Sequence, residues 1–586
     1  MYDLILLHPP SVYDFRQRSI MFGPISDVIP STPVFDMYPL GFVSLSSYLT
    51  QKKLKVRIIN LAVKMLSSPD YDVEKEIKNL RARAFGIDLH WLPHAQGGIE
   101  IARLIKKYHP QAPVIFGGLS ATYFHKELIL YPEVDFVIRG DSAELPLFKL
   151  LQALKGKVGL YSVPNLTYKD KRGEVRINPL NFIPENLNGE GLDYIHLIRS
   201  VLRDKDLLGY LPFHDWGGYP ITAIFTCKGC TQNCTSCGGS SFAYANFCLR
   251  GEPAFRHPEL LVRDMKKIAV YFKGPIFLLG DLFQAGESYA YKFLELLKKN
   301  RIKNQVVLEF FNIPPENFIQ QLSRVLPHFN IQISAESHDP LVRSNFKRDY
   351  DNLLLEKFID ESLSAGCEKF DLFFMIGLPH QTYSSVMETV SYCDYLLGKF
   401  NSKKRLFPYI SPLAPFVDPG SMIFENPEEY GYTILYKTLE EHRKALESPS
   451  WRYMLNYRTK WMDREDIVYS TYNAASKLNL VKYRYGFLEG ERYKELEERI
   501  RKAVLVMRKI DRMVEEGKTL DQKTLEEIKK NSELTTIATL CDKSELEWPL
   551  RFFQGSLQKW ILKFAFYFLP LFNFLRRPSL SRKGKS

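Results

Sequence analysis

Short apolar runs alternate with amphipathic segments through residue 155. This alternation predicts strands of a parallel sheet that helices cover on both faces, a doubly wound, Rossmann-like α/β domain. The predicted strands are Leu4–Leu7, Val56–Ile59, Ala84–Leu89, Val114–Phe116 and Val134–Ile138, and the helices between them include Leu40–Tyr48 and Ile99–Tyr108.

A second α/β series occupies residues 220–445. Its five apolar runs predict a complete or partial (β/α) TIM-like barrel, whose active site would lie at the carboxyl ends of the strands. The predicted strands are Ile221–Thr226, Ile276–Leu279, Val306–Phe311, Ile331–Ala335 and Phe370–Ile376, with helices at Glu259–Phe272, Leu294–Asn300 and Leu353–Ala365.

The remaining segments show other patterns. Residues 156–219 are dense in Pro, Asn and Gly, which predicts a linker with little regular structure. Residues 446–545 are charged and helical in pattern, as in Tyr493–Val514 and Leu520–Lys530, and predict a small C-terminal helical domain.

The tail, residues 546–586, contains an aromatic stretch, Trp560–Leu575, flanked by Lys559 and by Arg576 and Arg577. A bilayer span needs about 20 apolar residues, more than this stretch offers. Two interpretations stay open: peripheral contact with the inner face of an anionic membrane, or a helix docked on the enzyme body. Contact with a membrane would favour a lipid substrate.

Composition and charge exclude several classes of protein. The 586 residues are 45% hydrophobic and 25% charged, which excludes wholesale disorder and a polytopic membrane protein. Of the formal net charge of +12, eight positive charges lie in residues 550–586, where there are no acidic residues. The rest of the chain carries too little charge for a nucleic-acid groove, so no nucleic-acid partner is expected.

Four of the eight cysteines lie between Cys227 and Cys237. Clustering of this kind is typical of metal ligands, whereas a disulfide framework spreads its cysteines in pairs. The first residues lack the basic and apolar regions of a signal peptide. We therefore expect a reducing, cytoplasmic location.

The spacing within this cluster is Cys230-x3-Cys234-x2-Cys237. Zinc ribbons separate their cysteine pairs more widely, and bacterial ferredoxins use a different order. Three thiolates at this spacing suit three corners of a cubane iron-sulfur cluster, which leaves the fourth iron open to a substrate. An open coordination position distinguishes a catalytic metal centre from a structural one.

The motif at the end of a first barrel strand resembles the radical S-adenosylmethionine (SAM) superfamily, and the preceding sheet resembles its cobalamin-binding subgroup. The resemblance covers residues 1–440 and implies a 4Fe-4S cluster, SAM and cobalamin as cofactors. It implies that SAM chelates the open iron and is split by one electron to a 5′-deoxyadenosyl radical, while the protein orients the substrate.

The resemblance also implies SAM-binding positions at the barrel strand ends, although the usual Gly-Gly-Glu is absent. They are Gly280 and Asp281 for the amine, Glu336 and Ser337, with Arg343 near, for the ribose or carboxylate, and Gly377 and Pro379 for the adenine. The alternative is that these are strand-end turns with solvated polar groups. Cys227 would close the cluster as a fourth ligand, so we expect a bystander thiol, and Cys248 is either a packed hydrophobe or a radical partner.

For cobalamin, the loops after the strands of the first sheet supply the candidates Pro9, Pro10, Gly117, Gly118 and Glu144. Glycine permits close approach of the backbone to a ligand, but a tight turn is an equal alternative. The Asp-x-His-x-x-Gly motif is missing, so His90 is a poor axial ligand and the cobalt is expected to lack a protein histidine. The alternative that this domain binds no cobalamin is not excluded by the sequence. Without a GxGxxG motif, a nicotinamide cofactor is disfavoured.

These features predict a cobalamin-dependent radical SAM enzyme that methylates an unactivated carbon of a small molecule or lipid, with an electron donor such as flavodoxin or ferredoxin. A radical cyclase or rearrangement enzyme without methyl transfer is the enzymatic alternative. An iron-sulfur or cobalamin redox or sensor protein is the non-enzymatic one.

Overall fold

The computed structural model describes residues 1–18, 20, 34–189, 191–400, 402, 404–413, 416–535 and 540–550. Its first sheet has seven strands in the order β2-β1-β3-β4-β5-β6-β7. The bounds are β1 Leu4–His8, β2 Val56–Asn60, β3 Phe85–Asp88, β4 Val114–Gly117, β5 Phe136–Ile138, β6 Leu166–Lys169 and β7 Val175–Ile177.

The first five strands are parallel, and β1 lies between β2 and β3. All five residues of β1 are buried because helices cover both faces, which explains its continuous apolar run. The predicted doubly wound sheet is confirmed. Its helices are α1 Gly41–Gln51, α2 Leu61–Ser67, α3 Val73–Asn79, α4 Ala95–Tyr108, α5 Leu119–Tyr123, α6 His125–Leu128, α7 Glu144–Ala153 and α8 Tyr194–Asp204.

The prediction of little regular structure over residues 156–219 is wrong. This segment contains β6 and β7, which extend the sheet in antiparallel fashion, and the helix α8. All three residues of β7 are exposed, so the strand leaves no alternation of buried and exposed positions in the sequence. The limits proposed for the domains, at residues 155, 219 and 445, stay predictions.

The second sheet has six parallel strands in the order β15-β14-β13-β12-β11-β8 and forms a partial barrel. A short hairpin, β9 with β10, follows its first strand. The bounds are β8 Thr222–Phe225, β9 Cys227–Lys228, β10 Ala254–Phe255, β11 Ile276–Leu279, β12 Val306–Phe310, β13 Phe329–Glu336, β14 Lys369–Ile376 and β15 Leu406–Pro412.

The sixth strand, β15, was not predicted from the sequence. Pro408 and Pro412 interrupt its apolar pattern, and proline in a sheet is tolerated at an edge, where β15 lies. The helices of this unit are α9 Ser241–Phe247, α10 Pro258–Tyr271, α11 Glu287–Asn300, α12 Phe318–Val325, α13 Pro340–Ser344, α14 Asn352–Ser364, α15 Tyr383–Phe400, α16 Met422–Glu425 and α17 Leu439–Ala445.

The helical C-terminal region is confirmed. It is joined to the barrel through a two-stranded sheet, and its last described segment reaches the barrel interior. Its elements are β16 Tyr432–Ile434, β17 Tyr457–Thr459, α18 Arg464–Arg484, α19 Gly490–Glu515, α20 Gln522–Thr535 and α21 Lys543–Leu546.

Side chains of β14 show which face of the sheet is the barrel interior. Phe370 packs on Phe358 of α14, so its neighbour Asp371 points to the opposite, inner face. There Asp371 accepts a hydrogen bond of 2.9 Å from Nε1 of Trp548. The segment after α21 therefore places Trp548 inside the barrel, near the amino ends of its strands.

Among the described residues, no helix is long and apolar enough to cross a bilayer. The prediction for the aromatic stretch Trp560–Leu575 falls outside the described residues.

Candidate functional site

The three spaced cysteines lie on the loop between β9 and α9, at the carboxyl end of the first barrel strand. All three thiols are free, Cys230 and Cys234 half-buried and Cys237 exposed. Backbone N–H groups of Gln232 and Gly239 donate to the sulfurs of Cys230 and Cys237, each at 3.3 Å. Such bonds favour thiolate over thiol and tune cluster potentials.

This loop does not form a ready site for one metal ion. Among the described residues, no three His, Cys, Asp or Glu side chains gather closely enough to hold a single ion. A tetrahedral zinc site needs all its sulfurs about 2.3 Å from one point. A cubane cluster differs from such a site, because it binds each thiolate to a different iron.

The thiols need a cation to ionise. Burial raises the pKa of Cys230 to about 12 and also raises the pKa of Cys234. The positive charge of Arg348 partly opposes this rise at both sulfurs. Because metal ligation requires the thiolate, iron would supply the remaining stabilisation on binding.

A buried ion pair lies beside these thiols. Arg348 Nη2 is 3.3 Å from Glu336 Oε1, and both side chains are almost fully buried. Glu336 ends β13 just after a register shift and has a left-handed backbone, with φ of +64°. Burial raises the pKa of Glu336, and Arg348 opposes the rise.

Three polar atoms of this pair have no hydrogen-bond partner: Glu336 Oε2 and Nε and Nη1 of Arg348. Unpaired buried polar atoms are costly, so their partners are expected from a ligand. Two unpaired guanidinium nitrogens complement a ligand carboxylate, and the free carboxylate oxygen beside them complements an ammonium group. The site is therefore suited to the zwitterion of an α-amino acid.

Arg343, which the sequence places near the SAM-binding positions, instead forms hydrogen bonds within the protein. Its guanidinium donates to the carbonyl oxygens of Ser337 and Tyr350 and to the side chain of Asn352. It thus fixes the turn after β13. The Ser337 hydroxyl accepts from the backbone of Asp339 at 3.1 Å and is equally committed to this turn.

The other predicted SAM positions form tight strand-end turns. Asp281 accepts backbone N–H bonds of 2.9 Å from Phe283 and Phe311, and burial raises its pKa to about 6. At Gly280, a Cβ would lie 2.6 Å from Oγ1 of Thr226.

The adenine candidates show the same kind of packing. At Gly377, a Cβ would lie 2.5 Å from the hydroxyl oxygen of Tyr457. Pro379 is buried two residues later. Protein packing explains these two positions, and the structure neither requires nor opposes contact with a ligand.

The two isolated cysteines near the motif differ. Cys227 lines the large cavity described next and accepts a bond of 3.5 Å from Gln284, whose Oε1 in turn accepts from the N–H of Thr231 in the cysteine loop. Cys248 is buried at the end of α9. The position of Cys248 agrees with a packed hydrophobe.

One cavity of about 740 Å³ runs between the two α/β units. It begins at the carboxyl edge of the first sheet, where Gly117, Gly118 and Glu144 line it, and extends past Cys227 to Trp548. Parallel sheets bind ligands at this edge, near the point where the strand order reverses. The volume is within the usual range of ligand pockets.

Pro9 and Pro10 are not among the residues that line this cavity. Both are buried, and a Cβ on Gly97 of α4 would lie only 1.9 Å from the carbonyl oxygen of Pro10. Close packing of a helix on the backbone accounts for these prolines and for Gly97.

Gly117, the last residue of β4, and Gly118, which follows it, are glycine for different reasons. A Cβ on Gly118, which has φ of +118°, would lie 2.5 Å from Cα of His90. A Cβ on Gly117 would meet only the carbonyl oxygen of Ile138, at 3.8 Å. The protein itself requires Gly118, whereas Gly117 leaves space on the cavity wall.

Glu144 is a buried carboxylate at this edge of the cavity. Its Oε1 accepts a bond of 2.7 Å from Ser44 and lies 3.6 Å from the Lys228 ammonium, but its Oε2 has no partner. Lys228 also donates to the Ser142 hydroxyl at 3.2 Å. Because Lys228 precedes Cys230 by two residues, this contact joins the first sheet to the cysteine loop.

The histidines around β1 and β3 are mostly committed to the protein. His8 Nδ1 is 3.0 Å from Asp88 and its Nε2 is 3.1 Å from the carbonyl oxygen of Phe35, so both nitrogens face acceptors. His94 Nε2 faces the same carbonyl oxygen at 2.9 Å. Only His90 lines the cavity, and burial lowers its pKa to about 4.

Comparison with known proteins bears on the first unit directly. Residues 27–146 match the family described as the B12 binding domain. The matched range contains Gly117, Gly118 and Glu144.

Two relatives are named methyltransferases or methylases. Cytidylyl-2-hydroxyethylphosphonate methyltransferase of Streptomyces wedmorensis is 23% identical over 239 residues, which are 35% of this chain and 44% of the relative. Hopanoid C-3 methylase of Methylococcus capsulatus is 24% identical over 277 residues, 46% of this chain and 47% of the relative. The chain thus spans less than half the length of either relative.

Solved structures share the fold over most of the chain. The radical SAM methyltransferase TsrM of Kitasatospora setae, with cobalamin and a 4Fe-4S cluster bound, aligns with a TM-score of 0.56 at 16% identity, covering 82% of this chain and 89% of TsrM. The cobalamin-dependent SAM radical enzyme OxsB aligns with a TM-score of 0.53 at 13% identity, covering 97% of this chain and 84% of OxsB. The predicted resemblance is confirmed at the level of the fold.

Proposed function

We propose that this protein is a cobalamin-dependent radical SAM methyltransferase that methylates an unactivated carbon of a small molecule. One observation carries the proposal. A single cavity joins the sheet edge at Gly117 and Glu144 to Cys227, which lies directly before the cysteine loop. A substrate held in this space would lie between the sheet edge and the start of the cysteine loop, where two cofactors could act on it.

The residues present fit the cofactors that this activity requires. Cys230, Cys234 and Cys237 would hold three irons of a 4Fe-4S cluster. The unpaired atoms of Glu336 and Arg348 would hold the methionyl ammonium and carboxylate of SAM. When bound, the cluster and SAM supply a 5′-deoxyadenosyl radical and cobalamin supplies the methyl group.

At the cobalamin end, Gly117 leaves room on the wall, and Glu144 Oε2 offers a hydrogen-bond acceptor. Gly118 keeps this loop in place. The turns at Gly280, Asp281, Ser337, Gly377 and Pro379 would border the SAM site. Pro9 and Pro10 would not contact cobalamin, because α4 packs closely on the backbone of Pro10.

The chain's own residues control the chemistry by position and exclusion of water. Arg348 and Glu336 are nearly buried, so their charges act in a poorly solvated space and orient a zwitterion strongly. The Lys228 contacts with Ser142 and Glu144 tie the cysteine loop to the first sheet, which fixes the distance between the two sites.

Anaerobic reconstitution with iron, sulfide and hydroxocobalamin tests the proposal. With a reducing partner such as flavodoxin or ferredoxin, methyl transfer yields both S-adenosylhomocysteine and 5′-deoxyadenosine. A cyclase or rearrangement enzyme yields only 5′-deoxyadenosine, and an electron carrier or sensor yields neither. Cys230→Ala should abolish cleavage of SAM, whereas the matched Cys248→Ala should not. Cleavage retained in Cys230→Ala would refute the site.

A further inference from the structure

The end of the cavity at Trp548 is apolar and rich in aromatic side chains. Its walls are formed by a set that we call the aromatic half: Phe213, Trp216, Ile221, Phe272, Phe277 and Trp548. Phe277 and Trp548 pack with tilted rings whose centroids are 5.2 Å apart, and Trp216 and Phe272 pack edge to face at 5.7 Å. Phe277 belongs to β11 of the barrel, so this half reaches into the barrel itself.

Polar groups in this half are already paired within the protein. Trp216 Nε1 donates to the carbonyl oxygen of Ile221 at 2.7 Å, and Trp548 Nε1 donates to Asp371. The Tyr194 hydroxyl donates to the carbonyl oxygen of Ala223 and accepts from its N–H, which satisfies the free edge of β8. Arg256 is paired with Asp264 in a buried ion pair.

The two ends of the cavity therefore differ in what they can recognise. Glu144 Oε2 at the first end lacks a partner, whereas the named polar groups of the aromatic half offer no free donor or acceptor. A polar ligand group placed there would lose its hydrogen bonds to water without replacement. A hydrocarbon group has no hydrogen bonds to water to lose, and its transfer from water into an apolar space is favourable.

Trp548 closes the aromatic half and is fixed in place. It is 1% exposed, its backbone N–H donates to the Tyr219 hydroxyl at 2.8 Å, and its ring is bonded to Asp371. Three residues earlier, Glu545 forms a fully buried ion pair of 2.5 Å with Lys482 of α18. A side chain anchored from both sides forms a rigid floor.

We propose that the aromatic half holds the hydrocarbon part of the substrate and that Trp548 sets how long that part can be. The substrate class is then a lipid-like molecule whose apolar body lies in the barrel while its reacting carbon faces the cofactors. This inference rests on the proposed function, because it names the substrate class of the same site.

The test measures binding rather than turnover. Cluster-reconstituted full-length protein, with and without hydroxocobalamin, binds the neutral fluorescent probe N-phenyl-1-naphthylamine, which is then displaced by n-alkanols of increasing length. Each added methylene should tighten binding about fourfold until the chain reaches the floor, after which affinity stops rising. Trp548→Ala should move that limit to longer alkanols.

Trp451→Ala is the matched control. Trp451 is also almost fully buried, and its Nε1 donates a hydrogen bond of 3.0 Å to the Tyr472 hydroxyl. Unlike Trp548, it does not line the cavity. Its limit should equal that of the wild type. Equal limits in Trp548→Ala and Trp451→Ala, or no dependence on chain length in any form, would overturn the proposal.

A second measurement covers the case in which Trp548→Ala does not fold. A terminally brominated alkanol of the limiting length should quench tryptophan fluorescence in the wild type. Because Trp216 also lines the aromatic half, Trp548→Phe is compared with Trp216→Phe and should lose more of that quenching. A loss of quenching in Trp548→Phe that is no greater than in Trp216→Phe would also overturn the proposal. Since neither readout uses SAM, failure of SAM cleavage refutes the proposed function while leaving this binding result intact.

Discussion

Gly117 and Gly118 are adjacent, yet the structure predicts opposite consequences for the same substitution. Gly118 has φ of +118° and ψ of 175°, a region that only glycine adopts without strain. Its missing Cβ would lie 2.5 to 2.7 Å from the backbone of Leu89 and His90, which cannot move as a side-chain tip can. Gly117 has an ordinary strand conformation and open space beside it.

The expected magnitudes follow from these contacts. Gly118→Ala adds backbone strain of about 1–3 kcal/mol and overpacking of about 1–3 kcal/mol, so the free energy of unfolding should fall by roughly 2–6 kcal/mol. Gly117→Ala should change it by less than about 1 kcal/mol, because alanine is better than glycine in a strand interior. If cobalamin approaches Gly117, its affinity should fall about 5- to 150-fold in that variant.

Urea unfolding of the apoprotein and equilibrium dialysis against hydroxocobalamin separate the two effects. Gly118→Ala should lose stability whether or not cobalamin is present. Gly117→Ala should keep its stability and lose affinity. Wild-type stability in Gly118→Ala would refute the steric reasoning, and unchanged cobalamin affinity in Gly117→Ala would show that no ligand approaches this wall.

Three further predictions concern the barrel end of the site. Replacing Cys230, Cys234 or Cys237 by Ala should abolish bound iron and sulfide on reconstitution, whereas Cys227→Ala should retain them; retained iron in the first three would contradict the ligand assignment. Arg348→Met leaves the buried Glu336 carboxylate without its partner and should cost about 3–5 kcal/mol in calorimetry. Adding Glu336→Leu should recover most of that stability but not SAM binding in equilibrium dialysis, and recovered binding would show that the pair is structural only. Burial raises the pKa of Asp281 to about 6, above the ~3.9 of an unfolded chain, so its stabilisation is full below about pH 4 and is lost as the pH rises through 6. The free energy of unfolding of the wild type, measured relative to that of Asp281→Asn, should therefore fall by about 3 kcal/mol across this window, and parallel curves would count against this.

The sequence predicts most of the parallel strands because buried strands are continuous apolar runs. The strand Ile276–Leu279 is predicted without error, and Val114–Gly117 differs by one residue. The same reasoning misses β7 and β15, since one is exposed throughout and the other contains prolines at a sheet edge. Those elements owe their structure to the neighbouring strand, which a local pattern does not contain.

The candidate site likewise contains residues that the sequence predicts and residues that it does not. The spacing of Cys230, Cys234 and Cys237 can be read locally, because all three ligands lie on one loop. Arg348 could not be found, since it follows Glu336 by twelve residues in a polar segment and faces the cysteines only after the turn held by Arg343 has formed. Arg343 lies closer to Glu336 in the sequence, but its N–H groups are hydrogen-bonded within that turn.

Contacts between the two units explain why the chemistry lies between them and not in either alone. Asp141 and Arg250 form an almost fully buried, bidentate ion pair that joins the loop after β5 to the segment after α9. Removing one member would leave the other charge buried without compensation, so the two loops keep one relative position. Parallel sheets expose ligand-binding loops only at their carboxyl ends, and here both such ends open on one cavity. The distance between the sheet edge at Glu144 and the cysteine loop is therefore fixed by short loops and buried charges rather than by the ligands themselves.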